Sequence, residues 1–538
     1  MTDRLSLQPR YRLILEDLLR EHVPDAEVWA YGSRVNGQSH EGSDLDLVVR
    51  GPELESLGIQ LLDLLVALQE SNIPILVQVH DWASLPESFH REIERDYVVI
   101  QPSDSKQVDS ECRWHEAVIG DVALVIGGGT PSTKDAKNFD GDIPWLTPKD
   151  LSGIHDRYIM RGERSLSQKG LDSSSARLLP EGAVLLSTRA PIGYVALAGN
   201  PIATNQGFRS LIPNNNLLAE YLYYWLLMNV ERLEQHATGT TFRELSGSAL
   251  KAIRISLPPL PEQREIARVL GALDDKIELN RRMCETLEEM AQSLFKSWFV
   301  DFEPVRAKMD GRWCRGESLP GLPAEHYDLF PNRLVPSEVG PIPEGWKVKT
   351  LGDVVIQRRS VVEPRSMDPR LPYIALEHIP KRRIALSDWS DAEGVASAKL
   401  MFAQHDILFG RLRPYFHKVC VAPVDGVCST DIVVMLPTSR CWFGFILGHV
   451  FSEKFVNYTS TVVTGTRMPR TKWEDMAQFT VALPGIEVAR ALDDKTRQSI
   501  GRMLSAIHES RALVAQRDAL LPKLVSGEVR VGEVMEMV

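Results

Sequence analysis

The sequence predicts a multidomain α/β (α+β) protein: a small acidic α/β head, then two similar mixed α/β modules separated by an antiparallel two-helix coiled coil. Three observations carry this. The pentapeptide ALDDK occurs at Ala272 to Lys276 and again at Ala491 to Lys495. Each copy opens a long charged segment with an apolar stripe, and further matches fall in the same order around one offset. A chain of 538 residues is also too long for one core, which at about 100–200 residues per domain points to three or four units.

The repeat runs through the chain after its first hundred residues. Thr238, Gly239 and Thr240 recur as Thr464, Gly465 and Thr466 at a shift of 226, as do Leu257 and Pro258 at Leu483 and Pro484. Trp114, Gly120, Asp121 and Val122 recur as Trp346, Gly352, Asp353 and Val354 at 232, and GAVLLSTRAP (182–191) resembles HDILFGRLRP (405–414) at 223. ALDDK returns at 219, one heptad short of 226, as a one-heptad difference between two helices would give.

In the first helix Ile266, Leu270, Leu273, Ile277, Asn280, Cys284, Leu287, Ala291, Leu294 and Trp298 alternate steps of four and three, a coiled-coil seam. The second carries Leu492, Ile500, Met503, Ile507, Val514, Leu521 and Leu524 at nearly the same spacing, and pairing the two buries both stripes. The modules read differently. Short apolar, partly β-branched runs such as AVLLST (183–188), DIVVML (431–436) and QFTVALP (478–484) are divided by Gly and Pro turns. Seven prolines from Pro304 to Pro343 predict an extended connection rather than a helix.

Composition narrows the function classes. Six scattered cysteines without a C-x-x-C pair indicate neither zinc nor a disulfide framework, and reduced thiols in a cytoplasm are the expectation. The most apolar runs fall well short of the roughly 20 residues that span a bilayer, so no membrane role is expected. The net charge of −11 is concentrated at one end. Residues 1–106 hold 9 Lys and Arg against 19 Asp and Glu, leaving 52 against 53 in the rest, so the modules are not barred from a phosphate backbone.

Two like modules on a stiff helical pair form a calliper. From Ile266 to Trp298 the first helix spans roughly 50 Å at 1.5 Å per residue, or about 14 base pairs of B-DNA. The second module carries a run of basic residues, including Arg358, Arg359, Arg382 and Arg383. GGGTPST (127–133), GDIPWLTPKDL (141–151), LLSTRAPIGYVALAG (185–199), TNQGF (204–208), LPPLPEQREIARVLGALDDKIELNRRM (257–283), SLFKSWFVDFEP (293–304) and RDALLPKLVSGEV (517–529) resemble the specificity subunits of type I restriction-modification enzymes over residues 112–530.

The resemblance implies that the modules are target recognition domains, each reading half of a bipartite site in double-stranded DNA. It implies that the paired helices fix the gap and dock two methyltransferase subunits, which use S-adenosylmethionine, and that a restriction/translocase subunit joins them. The specificity part would itself have no catalytic residues. The expected boundaries are 1–100 for the head, 101–111 a linker, 112–261 the first recognition domain and 262–300 the first spacer helix. An extended linker at 301–341, the second recognition domain at 342–485, the second spacer helix at 486–525 and a tail at 526–538 complete the chain. Base contacts favour Arg on guanine and Asn or Gln on adenine, which selects Lys149, Arg189, Asn205, Gln206 and Arg243 in the first module. In the second, Arg411, Arg413, Arg467 and Arg470 are selected, while Thr240 and Thr466 are expected to stabilise turns.

The head contains YGSRVNGQSHEGSDLDLVV (31–49). Gly32 and Ser33, in a tight turn opening a helix, would offer N–H groups and a hydroxyl to a phosphate. Asp44 and Asp46, at i and i+2 on a strand, share one face and could hold Mg²⁺. The pattern resembles the minimal nucleotidyltransferase fold, which implies that these residues bind nucleotide and metal. That family adds a third carboxylate where this chain has Gln78, with His80 on the same face. Two readings follow: a DNA-recognition scaffold with a degenerate nucleotide-binding or docking head, which Gln78 favours, or an active Mg-dependent nucleotidyltransferase targeted by a DNA-binding module.

Overall fold

A computed structural model describes residues 5–36, 39, 43–51, 57–71, 73–101, 114–153, 156–239, 243–463 and 468–532. They form two compact units, and most of the 101–111 linker lies outside the described residues.

The first unit contains the head, a four-stranded sheet of order β3-β2-β1-β4, where β1 is Glu27–Tyr31, β2 Leu45–Arg50, β3 Val77–Asp81 and β4 Tyr97–Gln101. Only β2 and β3 run parallel. Strand alternation sends Leu45, Leu47 and Val49 to one face, where helices Pro9–His22 and Ile59–Glu70 cover them with Leu15, Leu19, Leu64 and Leu68. On the other face Val48 and Trp29 meet Trp82 and Ile93, and the Arg50 guanidinium lies 4.0 Å from the Trp29 ring centroid. The same unit pairs strand His115–Val118 antiparallel with Arg254–Leu257.

In the second unit the repeat becomes visible as topology. The first module has a sheet of Ala123–Gly127, Phe208–Pro213, Val184–Thr188, Ile192–Ala198 and Tyr158–Ile159, in that order. In the second module Val355–Arg358, Ile432–Pro437, Ile407–Gly410 and Val419–Val421 pair in the corresponding order. Lys347–Thr350 pairs with Thr480–Leu483 as His115–Val118 does with Arg254–Leu257, and the shifts relating those strands are the 232 and 226 seen in the sequence. Helix Ala219–Met228 in the first module corresponds to Phe443–Phe451 in the second.

The spacer helices are Leu260–Phe299 and Ile486–Ser526, the second stopped by Gly527 in the left-handed conformation. They run antiparallel. Asn280 and Lys276 both meet Glu509 (2.7 and 3.2 Å), the Cys284 thiol faces the Met503 carbonyl, and Asp274 meets Arg517. Asn280 is buried on the seam, and one polar residue there fixes register at some cost in stability.

The repeated ALDDK attaches each module to the rods. The Asp274 carboxylate accepts from the Tyr224 hydroxyl (2.6 Å) and from Arg517 (2.9 Å), while the neighbouring Asp275 holds Arg157 at 2.7 Å. Asp493 accepts from the Gly444 N–H at the start of the corresponding helix, at 3.0 Å. The second module adds an aromatic contact. Gly448 leaves room for Phe295 of the first spacer helix, whose ring atoms lie 2.1–2.6 Å from where a Cβ would stand. Glu288, only 2 % exposed, accepts from the Ile384 and Ala385 N–H groups; burial raises its pKa, which those bonds partly offset.

The segment from 301 to 341 corrects the sequence expectation of an extended linker. It opens with helix Glu303–Met309, with Pro304 at the start where a missing N–H costs nothing, and Trp313 and Phe330 pack beside Trp298.

His449 lies among the rings of Phe295, Phe445 and Phe479, and burial pushes its pKa down to about 3. The unfolded chain, with an ordinary value of about 6.5, takes up the proton first as pH falls. Stability is therefore full above about pH 6.5 and lost progressively toward pH 3, by at most about 1.4 kcal/mol per unit. His449→Phe is expected to remove about 1 kcal/mol of the loss between pH 7 and 5.5, read from urea midpoints at the two pH values.

Candidate functional site

In the head, Gly32 has φ +80° and its carbonyl accepts from the Val35 and Asn36 N–H groups, a turn rather than the start of a helix among the described residues. Ser33 is the next residue of that turn. The turn is pressed against β2, since a Cβ on Gly32 would stand 2.5 Å from Asp46 Oδ2. Asp44 directly precedes β2, Asp46 lies within it, and the parallel register sets Gln78 opposite Asp46. Gln78 Nε2 donates to Asp44 Oδ2 at 3.1 Å.

Partial burial, then the Asp44 charge, raises the Asp46 pKa, while His80 opposes the shift. Burial and Asp46 together push Tyr31 up to about 12. A cation would relieve the repulsion between the two carboxylates, and Mg²⁺ is commonly held by one or two carboxylates plus substrate phosphates. The third position holds an amide that donates rather than ligates, and among the described residues no group of three or more His, Cys, Asp or Glu is arranged for a metal. Sequence reasoning missed Arg34, which is 7 % exposed and ties the turn to the carbonyls of Ser43 (2.7 Å) and Ser6 (2.7 Å). Only its place next to Gly32 and Ser33 hinted at it. If the head binds nucleotide as its sequence pattern implies, Gly32→Ala is expected to weaken that binding at least tenfold by displacing Asp46, measured by titration with labelled nucleotide and Mg²⁺.

In the first module, the Asn205 side chain accepts from the Gly207 N–H (2.8 Å), a turn-forming bond, and Gln206 accepts from Thr130. Gly207 lies against Pro148, at the start of the short helix that carries exposed Lys149, itself paired with Glu163 at 2.8 Å. Arg189 and Arg209 share Glu244 at 3.8 and 3.4 Å, and Arg243 is exposed beside it. The structure thus brings these candidates to one edge and adds Arg209 and Glu244, which no sequence feature marked.

The second module builds the same edge from different side chains. The N–H groups of Thr188 and Arg411 donate to the carbonyls of Gly207 and Asp431, and those of Leu245 and Thr471 to the carbonyls of Thr188 and Arg411. Ala190 and Arg413 share φ near +50°. Arg470 forks onto Asp431 at 2.7 and 3.2 Å, and Arg413 lies 5.9 Å from the Phe416 ring centroid. Arg411 Nε is buried with no hydrogen-bond partner. Arg467, Thr240 and Thr466 lie outside the described residues. Arg358, Arg359, Arg382 and Arg383 pair with Asp406, Glu474, Glu453 and Glu285, so much of the basic run is already neutralised within the chain.

Two topologically matched edges with different polar side chains, held on one pair of rods, define a two-module scaffold. A model of the type I restriction modification DNA specificity domain matches residues 112–289, and one of the nucleotidyltransferase domain matches 12–109. The type I restriction enzyme MjaIX specificity subunit of Methanocaldococcus jannaschii is 34% identical over 433 residues, covering 78% of this chain and 94% of the relative. The HindI specificity subunit of Haemophilus influenzae is 23% identical over 476 residues, 77% of this chain and 99% of its own length. The head is 38% identical over 102 residues, 19% of this chain, to 88% of the probable protein adenylyltransferase MntA of Haemophilus influenzae. The chain belongs to the DNA specificity subunits of type I restriction-modification systems and carries a fused nucleotidyltransferase domain at its N-terminal side. Among the described residues no helix is long and apolar enough to cross a membrane.

Proposed function

We propose that residues 112–261 and 342–485 each read half of a bipartite DNA target, and that the helix pair sets the gap. The observation that carries this is the matched pair of edges at Thr188 and Arg411, alike in backbone bonding and unlike in side chains. Equivalent placement gives a common mode of approach, and different donors give different half-sites. Two methyltransferase subunits, supplied with S-adenosylmethionine, dock on the scaffold and modify the site, and a restriction/translocase subunit completes the assembly in the cytoplasm. Methylation mapping of a genome expressing the chain with its methyltransferase is expected to show one split motif with a fixed gap; a continuous motif, or none, would retire the reading.

Arg413→Ala is expected to cost about 1–3 kcal/mol on one half-site only, measured by competition between targets mutated in either half. Equal loss on unrelated DNA would assign Arg413 to phosphate contact.

For the head, the reading is a nucleotide-binding domain in which Asp44 and Asp46 hold one Mg²⁺ and the Gly32–Ser33 turn meets the phosphates. Bound Mg²⁺ would neutralise phosphate charge, and Gln78, by holding Asp44, restrains one ligand. The second reading, an active transferase, draws on the converging carboxylates and would be favoured by transfer of labelled nucleotide that Asp44→Ala abolishes.

A further inference from the structure

A cavity of about 500 Å³ lies where the end of the first spacer helix meets the second module. Phe295, Phe299, Phe451 and Phe479 are among its lining residues, and so are two histidines with unsatisfied nitrogens. His417 is 3 % exposed and its Nε2 donates to the Phe451 carbonyl at 2.8 Å, which leaves Nδ1 a lone-pair acceptor. That Nδ1 has no hydrogen-bond partner and lies 3.7 Å from a Glu453 carboxylate oxygen, which is itself bound by Arg382. Nε2 of His449 is likewise covered and partnerless. Lys296, Arg382 and Lys454 also border the cavity, Lys296 paired with Asp301 and Arg382 with Glu453.

Each feature asks for a complementary group. Aromatic walls favour a planar ring, the orphan acceptor of His417 favours an N–H donor, and Lys454 favours an anionic substituent. Water could satisfy one nitrogen, but the cavity is many times the roughly 30 Å³ that a water molecule occupies in the liquid. Its size falls within the range of small-molecule sites, about 300–1,000 Å³. We propose that this cavity binds a small aromatic anion carrying an N–H donor, with the ring among the phenylalanines and the donor on His417 Nδ1. Because Phe295 also anchors the second module, such a ligand would stiffen the attachment of that reader to the spacer.

Anilinonaphthalene sulfonate combines all three groups and is the probe. Titration of the full chain, followed by fluorescence and calorimetry, is expected to show saturable binding of one equivalent and a raised melting temperature. The double variant His417→Phe, His449→Phe keeps the ring volume, loses the polar nitrogens of both rings and is expected to bind at least tenfold more weakly. Ala291→Trp, at a half-buried lining position on the spacer helix, places an indole in the cavity and is expected to weaken binding as much without touching either histidine. Circular dichroism confirms that each variant is folded; if the double variant is not, Ala291→Trp decides alone. Non-saturable binding, or an unchanged affinity in the folded variants, would overturn the proposal.

Discussion

Replacing Phe295 by alanine is expected to loosen the second module from its spacer by about 3–5 kcal/mol. The ring is buried, stacks near Phe299 and His449, and fills the space that Gly448 leaves by having no side chain. The reverse change tests the same geometry. Gly448→Ala puts a methyl 2.1 Å from Phe295 Cδ2, and the overpacking is expected to cost about 1–3 kcal/mol. Combining Phe295→Ala with Gly448→Leu refills the gap from the opposite wall, so the pair should be more stable than the sum of the single changes. Hydrogen exchange at Phe443–Phe451 reads this locally, which matters because a chain with several cores need not unfold in one step. Strict additivity would show that the two positions do not share the space.

The second large effect is at the other attachment. Asp274→Ala is expected to cost about 2–3 kcal/mol, less than the 3–5 of a fully buried pair because Arg517 remains partly accessible. The loss has two parts: the Arg517 guanidinium keeps only the more exposed Asp518 as acceptor, and the Tyr224 hydroxyl loses a 2.6 Å bond. Burial and Asp274 both raise the Tyr224 pKa, so the phenol stays a donor throughout the working pH range. The effect should appear as faster exchange in Ala219–Met228 with Phe443–Phe451 unchanged. A double change, Asp274→Leu with Arg517→Met, should recover much of the loss because an apolar pair of similar volume avoids the desolvation cost.

The spacer was legible because its signal is local. Steps of three and four from Ile266 to Trp298 depend only on helix geometry, and the helices align as those stripes require. Glu288 was not legible, because its partners are loop N–H groups about a hundred residues away in sequence. The segment from 301 to 341 misled for a related reason. Its prolines mark where helices cannot continue, but Pro304 begins one, and the packing of Trp313 and Phe330 has no periodicity to detect.

At the sites the pattern was similar. Asp44, Asp46 and Gln78 could be placed together from strand alternation and a parallel pairing, and the register sets Gln78 opposite Asp46. Arg209 and Glu244 emerge only when strand Phe208–Pro213 is laid beside Val184–Thr188 and the chain returns at Glu244. The internal alignment already paired Thr188 with Arg411, so Arg189 has no arginine counterpart, and the matched backbone bonds bear that pairing out.

The unlike fastenings of the two modules give an experimenter separate handles. Ionic contacts such as that of Arg157 with Asp275 weaken as salt rises, whereas aromatic burial such as that of Phe295 is strengthened by excluded salts and fades on cooling. Concentrated sulfate should thus slacken the ionic contact of the first module while tightening the aromatic contact of the second.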